Sequence, residues 1–63
     1  MDIKQARIAL EAKLVERGMD KVAATKEAER FAQDQQGKDA FYPQRWITWK
    51  ASIIMETQAR RLK

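Results

Sequence analysis

The chain has 63 residues, 35% of them charged, a formal net charge of +4, and neither cysteine nor histidine. That length limits it to a single domain, residues 1–63, which hides only about 60% of its unfolded surface and reaches a net stability of roughly 3–5 kcal/mol. The composition rules out disulfides and the usual zinc ligands. No apolar run resembles a signal peptide or a membrane span, so a soluble cytoplasmic protein is expected.

The first predicted helix runs from about residue 3 to 17. Asp2 suits its N-cap, and Gln5 three positions on completes a capping box. Ile3, Ala6, Leu10 and Leu14 fall on one stripe at about 100° per residue. Ile8, Ala12 and Val15 form a second apolar strip well round the helix. Gly18 can take the positive φ of a helix C-terminus without steric cost.

The second helix is predicted over 21–36, capped by Asp20 and stopped by Gly37. Ala24, Ala28, Phe31, Ala32 and Gln35 share a narrow face that permits close helix approach, with Phe31 its one large anchor. Met19 precedes the cap and is placed to pack on Ala24 as a hydrophobic staple.

Pro43 fixes its own φ, pushes Tyr42 toward extended geometry and suits a helix start. The third helix is predicted over 43–61. Trp46, Trp49 and Ile53 fall on one side of it, and Ile47, Ala51, Ile54 and Leu62 roughly 100° away. An arc this wide marks a helix central to its fold. The expectation is an all-α, three-helix domain with the third helix at its centre and a core of Leu10, Leu14, Phe31, Trp46, Trp49 and Ile53. The apolar surplus, Ile8 and Val15 with Ile47 and Ile54, is then the candidate partner surface.

Charge is unevenly placed. Residues 1–36 hold seven basic and seven acidic groups; residues 37–63 hold six basic groups against Asp39 and Glu56, which is the whole +4. Arg45, Lys50, Arg60, Arg61 and Lys63 form a candidate basic rim around the partner surface. The same groups beside two tryptophans admit a second reading, a small basic nucleic-acid-binding regulator of helix-turn-helix type. Against it, a wide apolar arc leaves little of the helix for base edges, and Glu56 repels phosphate.

No catalytic residues, cofactor-binding residues or metal ligands are assigned. There is no glycine-rich phosphate loop, and the carboxylates sit among lysines and arginines on polar faces. An enzyme is not expected, and no cofactor.

The opening "MDIKQARIALEAKLVERG" and the segment "FYPQRWITWKA", in a chain of 63 residues, resemble a family of small early proteins from lambda-like phages, encoded between the exonuclease and excisionase genes. The resemblance spans the whole chain and brings no catalytic motif. It implies an accessory protein of the bacterial cytoplasm that influences phage development and host physiology. The expected partner is a host or phage protein, or a second copy in a weak homo-oligomer, with nucleic acid as the alternative and no membrane.

Overall fold

The computed structural model describes residues 1–35 and 41–61. They form three helices, α1 (Ile3–Glu16), α2 (Lys21–Asp34) and α3 (Gln44–Arg61), with no strand among the described residues. The all-α, three-helix expectation holds. Gly37, Leu62 and Lys63, to which the sequence assigned a helix stop, a place on the Ile47 strip and part of the rim, lie outside the described residues.

Local chemistry sets the helix ends. Asp2 accepts from the Gln5 N–H at 2.8 Å while the Gln5 side chain accepts from the Asp2 N–H, the reciprocal capping box. α1 ends in a Schellman motif: the Gly18 N–H donates to the Val15 carbonyl and the Met19 N–H to the Leu14 carbonyl, both at 3.0 Å. Gly18 has φ +104°, which a side chain would resist. Leu14 and Met19 are both buried, the hydrophobic contact that accompanies this motif. Asp20 then caps α2 by accepting from the Val22 and Ala23 N–H groups. Helix three starts one residue after Pro43, whose carbonyl accepts from Trp46 and Ile47.

Packing corrects one expectation. The central helix is α1, which packs along both α2 and α3, while α2 and α3 meet only weakly. The two-sided contact of α1 follows from its buried stripe of Ala6, Leu10 and Leu14. A hydrogen bond from the Thr25 hydroxyl to the Glu11 carboxylate also joins α1 to α2.

The segment before α3 is tied to the chain start. The Met1 amino group donates to the Tyr42 carbonyl at 3.1 Å, and the Tyr42 N–H donates to the Met1 carbonyl at 3.0 Å. Tyr42 is buried and Phe41 exposed, as expected where extended backbone sends successive side chains to opposite sides.

Candidate interaction surface

α3 turns a different face inward from the one its largest side chains suggest. Ile47 is wholly buried and Ile54 is 8% exposed, whereas Trp49 is 55% exposed and Ile53 38%. So Ile47 and Ile54 are core, not partner surface, and Trp49 and Ile53 are surface, not core. The reason is geometric. Ile47, Ala51 and Ile54 lie within about 60° of one another round α3, and the small side chain of Ala51 lets that narrow arc seat against α1. Leu10, Leu14 and Phe31 are buried where expected.

Trp46 lies between the two faces and is half-buried. It fills the space where α2 and α3 lean apart. Its ring centroid is 5.5 Å from that of Phe31 on α2 and 4.7 Å from that of Tyr42. Phe31 and Tyr42 meet edge to face at 5.3 Å. The Tyr42 hydroxyl donates to Gln35 Oε1 at 2.6 Å, which fixes the ring that Trp46 rests on. One more step outward is Trp49, 6.3 Å from Trp46. The aromatic series thus begins in the core and ends in solvent.

The outward strip of α3, Trp49 and Ile53, is flanked by cations. Arg45, Arg60 and Arg61 are exposed and Lys50 is half-exposed. Arg60 pairs with Glu56 at 3.1 Å; among the described residues, Arg45, Lys50 and Arg61 make no ion pair. The basic rim expected around Ile47 and Ile54 therefore surrounds Trp49 and Ile53 instead.

Next to this strip runs a groove between α2 and α3. Its floor is Phe31, Trp46 and Ile54, with Ile53 along one margin. Lys50 and Arg61 edge it on the α3 side, and Glu27 and Asp34 on the α2 side. Gln58 Nε2 spans the groove to Glu27 Oε1 at 3.5 Å, a long contact.

Ile8 and Val15 are exposed on α1, well round from its buried stripe. They do not join the α3 strip; the structure separates the two halves of the partner surface that the sequence grouped. Sequence reasoning also passed over Phe41 and Val22, both exposed. The "FYP" order was the available signal for Phe41, since Tyr42 inward requires Phe41 outward.

Among the described residues, no group of three or more His, Cys, Asp or Glu is placed to hold a metal ion, and none of the described helices is long and apolar enough to cross a membrane. No protein-family model, curated protein sequence or solved structure matches the chain.

Proposed function

We propose that this protein is a non-enzymatic interaction module that presents the Trp49–Ile53 strip of α3, with its basic flanks, to an acidic protein partner. The observation that carries this reading is the exposure of Trp49. A chain with so little apolar surface to spare leaves a tryptophan and an isoleucine in water, four residues apart on one helix face. Tryptophan and arginine are the types enriched where protein interfaces hold their energy. Arg45, Lys50 and Arg61, which make no ion pair among the described residues, steer an acidic partner and set its register. The resemblance to early proteins of lambda-like phages supplies the setting: an accessory protein in the bacterial cytoplasm, acting on phage development and host physiology through a host or phage protein.

One observation favours a second reading. An exposed indole beside Arg45 and Lys50 also suits single-stranded nucleic acid, where a base stacks and phosphates pair. The strip, however, continues as the aliphatic Ile53, and Trp46 and Trp49 are inclined at 52° rather than presenting parallel platforms. Salt separates the readings. Labelled duplex and single-stranded DNA are titrated with the protein between about 50 and 200 mM salt, where phosphate contacts weaken by orders of magnitude. No submicromolar binding is expected at the low end. Tight binding with a logarithmic salt slope near −0.9 per phosphate contact would replace the protein reading with the nucleic-acid one. In parallel, proteins captured from host lysate are expected to survive nuclease treatment and to be lost with Trp49→Ala.

A further inference from the structure

We infer that the partner's binding element is an amphipathic helix, seated in the groove between α2 and α3, with an acidic edge facing Lys50 and Arg61. This rests on the reading of α3 as the working surface and goes beyond it in naming the occupant.

Shape favours a helix. α1 packs along both other helices, and α2 and α3 meet only weakly. The resulting groove has an apolar floor of Phe31, Trp46 and Ile54. It consists of two shallow depressions that share Glu27, Lys50 and Ile54 and together follow α3 from Trp46 to Arg61, about 22 Å at 1.5 Å per residue. A helix of about 15 residues spans that length, displaces the long Gln58–Glu27 contact that crosses the groove, and completes a four-helix arrangement around the same core.

Hydrogen bonding also favours a helix. Both walls are helices, whose backbone donors and acceptors are used internally. An extended segment laid there finds no strand edge to pair with and leaves its own backbone groups unmet as water is displaced. A helix arrives with its backbone already satisfied.

Charge favours an acidic edge. The α3 edge carries Lys50 and Arg61, and the α2 edge carries Glu27 and Asp34 with Arg30 between them. An occupant therefore needs carboxylates on one edge only, and that sets its rotation about its own axis. Trp49 stands outside the groove, one step further round α3, and closes over the occupant's outer side. A second copy fits less well. Two α3 strips face to face oppose like charges, and α1 of one copy in the groove of the next makes an open-ended chain.

The test is a display selection of random peptides about 18 residues long, somewhat over the groove's span, against the immobilised full-length protein at about 150 mM salt. Enriched peptides are then synthesised and measured against wild type, Trp49→Ala and three charge variants. Lys50→Glu and Thr57→Glu alter the groove; Thr57 is exposed and lines it. Lys4→Glu makes the same charge change as Lys50→Glu at an exposed position on α1. The expected result is peptides with Asp or Glu three and four residues apart beside an apolar face, gaining helical circular dichroism on binding. Lys50→Glu and Thr57→Glu weaken them by about tenfold or more, and Lys4→Glu leaves them unchanged.

Failure to enrich any peptide overturns the inference, as do enriched peptides that are extended, basic or proline-rich. Equal weakening by Lys4→Glu reduces the effect to net charge and also overturns it. Peptides that need Trp49 but bind Thr57→Glu as well as wild type remove the groove and leave the proposed function standing. Peptides indifferent to both remove the proposed function too. Concentration-dependent sedimentation that Thr57→Glu abolishes would give the groove to a second copy instead.

Discussion

The indole of Trp49 lies 6.3 Å from that of Trp46, inclined by 52°, yet the first is more than half exposed and the second packs against the core. Three residues of one helix separate a structural tryptophan from one with no structural duty of comparable weight. The difference comes from α2, whose Phe31 reaches Trp46. Stability and recognition can therefore be perturbed separately on the same helix.

The buried face of α3 gives the first prediction. Ile47 has no exposed surface, and Ile47→Ala removes its contacts with the core and leaves a cavity. The loss should be about 2–5 kcal/mol, comparable with the whole stability of a domain this small. Circular dichroism should show a largely unfolded variant at room temperature.

Gly18 gives a purely torsional prediction. A Cβ built there meets nothing within 4 Å, but φ is +104°. Gly18→Ala should destabilise by about 1–2 kcal/mol through the left-handed backbone alone. Urea unfolding should show a lower midpoint with an unchanged slope.

Asp20 caps α2 through two backbone N–H groups, at 3.0 and 3.4 Å. Asp20→Ala should cost about 1 kcal/mol, and Asp20→Asn or Asp20→Ser much less. Thermal melts of the three variants check the order.

Tyr42→Phe keeps the ring under Trp46 and removes the hydroxyl bonded to Gln35. The expected loss is about 1 kcal/mol. Tyr42→Ala, which also removes the ring that Phe31 and Trp46 pack on, should lose about 3–5 kcal/mol. If the two variants melted alike, the aromatic series would not be holding the start of α3.

The capping box of α1, the Asp20 cap of α2, the glycine stop after α1 and the inward stripes of α1 and α2 were legible in the sequence because each rests on local chemistry: a carboxylate one step before a helix, a residue without Cβ one step after, a repeat of small and large apolar groups. The facing of α3 was not legible. Trp46, Trp49 and Ile53 form as coherent an apolar row as Ile47, Ala51 and Ile54, and larger side chains argue for burial when nothing else decides. What decides is tertiary. Ala51 on α3 and Ala6 on α1 are both wholly buried, and among the described residues only two other helices are present to cover the arc of the third. The choice of α1 as centre was hidden for the same reason, since the apolar width of α3 served a surface as well as a core. The basic residues Arg45, Lys50, Arg60 and Arg61 flank Trp49 and Ile53 rather than the Ile47 and Ile54 that the sequence set them around.

Trp49 is a surface residue that folding does not require. The most direct measurement is urea unfolding of Trp49→Ala followed by far-ultraviolet circular dichroism. The predicted result is a cooperative transition within about 1 kcal/mol of wild type. A loss of about 3–5 kcal/mol, the signature of a deleted core tryptophan, would contradict it.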